Sequence, residues 1–173
     1  MIFIGAYSKE KILSYISSRE LVSGSIDADT QTTPNGFDLS LSLIERLTSA
    51  GKVDFSNEQR VISRTEEIPY GEDGWAFLGP GTYKITFNEV VSIPHDAIAI
   101  ARTRSTLLRC GASIETGVWD AGYKGRSSSM LNVVNPQGIY LKKDARVLQL
   151  VFFDLDTTTD GYCGTYQNEN MVD

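Results

Sequence analysis

The chain has 173 residues, 41% hydrophobic and 22% charged, which suits a single globular domain with its own core and excludes a disordered polymer. The net charge of −6 argues against a general nucleic-acid surface. No apolar run approaches the ~18 residues of a membrane span, and the apolar start MIFI has no basic stretch before it, so no secretory signal is read and the cytoplasm is the expected compartment.

One histidine, His95, and two unclustered cysteines, Cys110 and Cys163, supply no zinc framework. Two free thiols are the favoured reading over a bridge. A Ser-His-Asp triad would have to use His95, and no nucleophile elbow accompanies it. A small anionic ligand remains open if Lys and Arg gather locally or a divalent cation assists.

In chain order, Ser8 is placed to cap a first helix, with Ile12, Leu13 and Ile16 on one face and an end near 19–23. The stretch 27–36, DADTQTTPNG, reads as a polar loop. Residues 37–47 alternate, with Phe37, Leu39, Leu41 and Leu43 on one face and Asp38, Ser40 and Ser42 on the other, the pattern of a half-buried strand. Residues 50–74 are polar and read as a loop or irregular hairpin. Residues 75–94 read as two strands around Gly-Pro-Gly, and 97–105 as a strand running into a basic loop. The stretch 126–135 is a strand ending at Asn-Pro, and 146–155 is apolar enough to be buried on both faces. Short strands with frequent turn signals and one N-terminal helix predict an all-β sandwich or barrel in one domain. The tail, 154–173, carries five acids and no Lys or Arg, and is expected to be mobile or to lie over the surface.

Four segments carry chemistry. RTRSTLLR, 102–109, gathers Arg102, Arg104 and Arg109 with Ser105 and Thr106. Guanidinium forks and hydroxyls suit phosphate oxygens; the alternative is a solvated strand end paired with surface acids. TGVWDAGYKG, 116–125, sets Asp120 and Tyr123 among three glycines, where the plain reading of Asp120 is an Asx-turn residue. Asp38 follows a Gly-Phe turn, and Gln149 interrupts an apolar strand and needs a partner.

Together, Gly36-Phe37-Asp38-Leu39, Arg104-Ser105-Thr106, Gly117-Val118-Trp119-Asp120-Ala121-Gly122-Tyr123-Lys124-Gly125 and Arg146-Val147-Leu148-Gln149-Leu150 resemble the motifs G-x-D-L, R-S-[ST/G], G-V-x-D-x-x-Y-x-G and G-x-R-[IV]-x-Q-[LI] of the trimeric dUTPase and dCTP deaminase superfamily. The resemblance spans roughly residues 8–168. The N-terminal helix, RSTLLR and the tail YCGTYQ point to its dCTP deaminase branch and archaeal dUTPase relatives. It implies a distorted, jelly-roll-like β-barrel (the β-clip dUTPase fold) over 1–153, with 154–173 as an active-site lid, and a homotrimer with sites between subunits.

The resemblance also assigns roles. Asp120 is the catalytic carboxylate that activates water for attack on the α-phosphorus. Arg104, Ser105, Thr106, Arg109, Tyr166 and Gln167 form the phosphate-binding set. Gly117, Val118, Tyr123, Ser128, Met130 and Gln149 face sugar and base, with Tyr123 beneath the deoxyribose, and Asp38 supports them. Mg²⁺ enters on the triphosphate oxygens, with no direct protein ligand. Deaminase relatives carry a proton-shuttling glutamate where this chain has Met130, so the implied activity is dUTP diphosphatase, with neither nucleic acid nor membrane as partner. dCTP deaminase and a non-catalytic nucleotide-binding homologue are the alternatives. In the tail, Thr165 stands where the branch has lysine and Glu169 where it has glutamine, which places one cation fewer and one anion more beside a polyanion.

Overall fold

Helix α1 (Lys9–Arg19) starts where sequence puts it: Ser8 is extended, its hydroxyl accepts from the Lys11 amide, and the chain leaves the helix at Glu20 in the left-handed conformation. Ile12 is fully buried, with Tyr15 and Ile16 against the core. The computed structural model describes residues 5–171; the apolar start at 1–4 lies outside the described residues.

The strands that follow are β1 (Val22–Ser23), β2 (Thr32–Thr33), β3 (Gly36–Leu47), β4 (Thr65–Glu67), β5 (Trp75–Leu78), β6 (Gly81–Phe87), β7 (Val90–Ser92), β8 (Ala97–Thr103), β9 (Ala112–Glu115), β10 (Lys124–Gly125), β11 (Ser128–Val133), β12 (Ile139–Lys142) and β13 (Arg146–Asp154). Two short helices, α2 (Ala28–Gln31) and α3 (Ser105–Arg109), interrupt them. The main sheet runs β8-β13-β3-β6-β11-β9. Its two edges meet at Thr103, whose hydroxyl accepts from the Ile114 amide at 2.8 Å and donates to the Ile114 carbonyl at 3.2 Å. Those bonds nearly close the sheet into a barrel around Phe37, Leu39, Leu41, Phe87, Leu131, Leu148 and Phe152. The all-β, barrel-like expectation is met.

Several local expectations change. The stretch 27–36 contains helix α2, capped by Asp27 through the Thr30 amide, because a short acidic residue ahead of a polar run can cap a helix as well as turn a loop. The first half of β3 is buried on both faces. Ser40 sits against fully buried Glu89, which accepts from the Ser40 amide at 2.9 Å and from the Gln31 amide group at 2.6 Å. Burial pushes the Glu89 carboxyl up, against those hydrogen bonds. The strands flanking Gly-Pro-Gly do not pair with each other: β5 pairs with β12, and β6 joins β3 and β11. The basic segment after β8 is helix α3 and not a loop. Strand β13 is central, yet its exposure alternates in its second half.

Candidate active site

The loop between β9 and β10 is held by backbone at both ends. Trp119 and Ala99 exchange two hydrogen bonds of 3.0 Å, Gly122 N–H donates to the Ile93 carbonyl at 3.0 Å, and Ile93 N–H donates to Tyr123 at 2.8 Å. The buried Trp119 ring anchors it further, its Nε1 donating to Ser127 Oγ at 3.1 Å. Asp120 accepts the Tyr123 amide on its main-chain oxygen at 3.1 Å. Its carboxylate accepts nothing from any described residue and lines a cleft of about 680 Å³. An Asx-turn would spend that carboxylate on the backbone; here it is free for another partner. Two glycines are sterically required. At Gly122 (φ +78°) a Cβ would lie 2.9 Å from Gly161 Cα, and at Gly125 it would lie 2.7 Å from the Tyr123 hydroxyl.

The sheet forms the floor of the cleft. Met130 on β11 pairs with Lys84 on β6 and with Glu115 on β9, and Lys84 pairs in turn with Glu45 on β3. Directly opposed residues share a face, so one row across the sheet reads Glu45, Lys84, Met130, Glu115. Lys84 Nζ binds Glu45 at 2.7 Å, and Met130 is 42% exposed. Ser128 pairs with Thr86, their hydroxyls 2.9 Å apart. Gly117, Val118, Tyr123 and Ser128 line the same cleft. The far wall comes from the chain 48–64, through Val53, Val61 and Ile62.

The tail is bound and not loose. Tyr162 N–H donates to the Ala121 carbonyl at 2.7 Å, and Asn168 N–H to the Lys124 carbonyl at 2.7 Å. The Gln167 side-chain amide is spent at both ends on the loop backbone, accepting from Lys124 N–H and donating to the Gly122 carbonyl, each at 2.9 Å. Gln167 therefore holds the loop, whereas Tyr166 reaches the cleft wall. Tyr123 is buried at 6% exposure. Its ring meets Tyr162 edge-on at 5.8 Å, and its hydroxyl donates to Glu169 Oε1 at 2.9 Å. Burial pushes the Tyr123 phenol far above its ordinary value, with Glu169 adding to the effect.

The arginine set lies elsewhere. Arg104, Ser105, Thr106, Arg109 and Gln149 do not line this cleft. Trp119 attaches to β8 at Ala99, and five residues of extended strand to Arg104 span about 17 Å. Arg104 Nε and Arg146 Nη1 converge on Asp38 Oδ2 at 3.0 and 3.3 Å. Asp38 is 1% exposed; burial pushes its carboxyl up and the two guanidiniums oppose that. Gln149 donates to the Thr33 hydroxyl, which answers its need for a partner. Ser105 and Thr106 begin α3 and are exposed.

Lys84 and Glu115 are lining residues that motif reading does not assign. The alternation of β6 marks Lys84 as outward-facing, but its placement beside Met130 depends on strand register. Among the described residues no three of His, Cys, Asp and Glu converge on a metal position, and no helix is long and apolar enough to cross a membrane.

Residues 6–155 match the model of the family described as dCTP deaminase-like. A Methanococcoides burtonii protein named probable deoxyuridine 5′-triphosphate nucleotidohydrolase is 52% identical over 157 residues, covering 90% of this chain and 92% of that one. An Archaeoglobus fulgidus protein of the same name is 44% identical over 164 residues, covering 95% and 96%. The 2′-deoxycytidine 5′-triphosphate deaminase of Agrobacterium tumefaciens shares the fold, with a TM-score of 0.67 at 18% identity over 87% of this chain and 48% of that one. The present chain thus spans about half the length of that deaminase. The motif loop, the barrel that carries it and the family match across most of the length agree: this chain belongs to the dCTP deaminase-like family.

Proposed function

We propose that the chain is a dUTP diphosphatase, converting dUTP and water to dUMP and pyrophosphate. The observation that carries this reading is Met130 on the cleft floor, in the same cleft as Asp120 and Tyr123. A thioether cannot move a proton to or from a base, whereas the free Asp120 carboxylate can accept one from water. The names of relatives at 44–52% identity support the same activity.

In this mechanism Asp120 orients a water and takes its proton as the oxygen attacks the α-phosphorus. The new P–O bond stays in dUMP, and the bond to the bridging oxygen breaks to release pyrophosphate. Tyr123 packs under the deoxyribose and leaves no room for a 2′-hydroxyl. Gly117, Val118, Ser128 and Met130 border the sugar and base. Mg²⁺ would be held by the substrate's phosphates and not by protein side chains, and would supply neutralisation of the charge that develops there.

Arg104, Ser105, Thr106 and Arg109 hold phosphates in a neighbouring subunit's cleft, with Asp38 fixing Arg104 and Gln149 bracing the adjacent strand. The separation along β8 supports sites shared between copies of a homotrimer. Residues 1–153 act as one dUTPase-like domain, and 154–173 as a lid that carries Tyr166 and Gln167. The protein works in the cytoplasm, where it limits dUTP and supplies dUMP.

A second reading, deamination of dCTP, draws on Glu115, a carboxylate one strand from Met130 in the same cleft. Purified protein incubated with Mg²⁺ and dUTP or dCTP, followed by ion-exchange separation, tests both. dUMP from dUTP with dCTP untouched supports the diphosphatase; dUTP or dUMP from dCTP supports the deaminase; no product from either refutes both.

A further inference from the structure

The cleft is short of positive charge for the substrate proposed above. Its charged lining is one ammonium, Lys84, against three carboxylates, Glu115, Asp120 and Glu169. Lys84 is already paired with Glu45 at 2.7 Å. From this chain's own lining alone a phosphate chain meets net repulsion, so every nearby cation of the chain counts.

A guanidinium stands just outside that lining, on Arg60, beside the lining residue Tyr166. The chain 48–64 forms an arm between β3 and β4. It is braced by Lys52 and Val61, which exchange two 2.8 Å backbone bonds, and by Thr48 N–H donating to the Arg64 carbonyl at 2.8 Å. Its apolar inner side, Val53, Val61 and Ile62, lines the cleft. Arg60 immediately precedes these last two residues and is partly buried. Its Nη2 donates to Thr165 Oγ1 at 2.8 Å, and its guanidinium lies 5.8 Å from the centroid of the Tyr166 ring, itself a cleft residue. The ion pairs among the described residues do not include Arg60. Among the described residues most of its donor fork is therefore unspent, where the arm meets the tail beside Tyr166. A planar fork with free donors matches phosphate oxygens in pairs.

We infer that Arg60 is a phosphate-chain ligand of the nucleotide site, held in position by Thr165 and Tyr166 of the tail. The inference rests on the cleft taking a nucleoside triphosphate. It gives the arm a chemical task and makes tail docking and phosphate grip depend on the same side chain.

The test measures binding of a non-hydrolysable α,β-imido dUTP and of dUMP by calorimetry, for the wild type, Arg60→Ala, Arg60→Lys and Thr165→Val. Far-ultraviolet circular dichroism and thermal melting confirm that each variant is folded. Arg60→Ala is expected to weaken the triphosphate analogue about tenfold and to leave dUMP within about twofold. Arg60→Lys recovers part of the loss. Thr165→Val, which keeps the guanidinium but removes its anchor, loses about threefold for the analogue alone. An unchanged triphosphate affinity in Arg60→Ala overturns the inference, and so does an equal loss for analogue and dUMP, because that pattern marks the arm as merely structural. Inorganic tripolyphosphate separates this inference from the functional reading. If the wild type binds tripolyphosphate through Arg60 but neither binds nor cleaves dUTP, the dUTP reading falls and the phosphate role of Arg60 stands.

Discussion

The Tyr123 hydroxyl donates a 2.9 Å hydrogen bond to the Glu169 carboxylate, joining the motif loop to the tail. Burial pushes the Glu169 carboxyl above its ordinary value, against the pull of that bond and of Lys84. A carboxyl raised on folding contributes stability that is fully present below its unfolded value and lost as pH rises through its folded one. Tail docking is therefore firmest in acid and loosens as pH climbs past the usual glutamate range. Glu169→Gln keeps an acceptor for Tyr123 and removes the charge. Hydrogen exchange at Asn168 and Glu169, corrected for intrinsic rates, should rise with pH in the wild type and stay flat in Glu169→Gln. The same variant should lower KM for dUTP about threefold to tenfold, since one anion no longer faces the phosphates. A raised KM would mean that the carboxylate assists binding.

Asp120 lines the cleft, and its carboxylate has no partner among the described residues. Asp120→Asn should preserve the shape of the loop, because the loop uses the main-chain oxygen of Asp120 in its turn. Nucleotide affinity should stay within about threefold while kcat falls on the order of a thousandfold. Near-full turnover in Asp120→Asn would remove it as the base.

The Tyr123 ring and hydroxyl do separate work. The ring should exclude a 2′-hydroxyl, so UTP is expected to be a poor substrate beside dUTP. Tyr123→Phe keeps the ring and loses the bond to Glu169. It should retain sugar discrimination while speeding exchange at the tail amides. Equal turnover of UTP and dUTP by the wild type would show that Tyr123 does not select the sugar.

Arg104 is held against Asp38 and does not line the cleft that Asp120 lines. If sites are shared between copies, Arg104→Ala and Asp120→Asn are each inactive alone, yet mixed and refolded together they regain activity, because some interfaces then hold both intact groups. No recovery, with light scattering showing mixed oligomers, would put both residues in one chain's site.

What the sequence discloses depends on the range of the forces involved. Helix α1 is legible because its cap and its apolar positions are within a few residues of each other. Strands β9 and β12 have four residues each, too few to establish a period, and pass unread. Asp38 and Ser40 read as an outward polar face because alternation cannot reveal that Arg104 and Arg146 close on Asp38, or that Glu89, 49 residues after Ser40, reaches back to it. The tail reads by composition as mobile or lying over the surface, and Gln167, Asn168 and Asn170 decide for the second through amide hydrogen bonds that no hydropathy pattern registers. The motif loop is legible as a loop with a purpose, since Asp120, Tyr123 and the glycines are local. The row of Lys84, Met130 and Glu115 is not, because it exists only through the register of three strands.

The most direct measurement is turnover in ¹⁸O-labelled water with dUTP and dCTP supplied separately, and products read by mass spectrometry. The account predicts that dUTP yields dUMP carrying the heavy oxygen on its phosphate, that the pyrophosphate is unlabelled, and that dCTP is recovered unchanged. Label in the pyrophosphate would place the attack on the wrong phosphorus, and labelled uracil nucleotide from dCTP would make the protein a deaminase despite Met130.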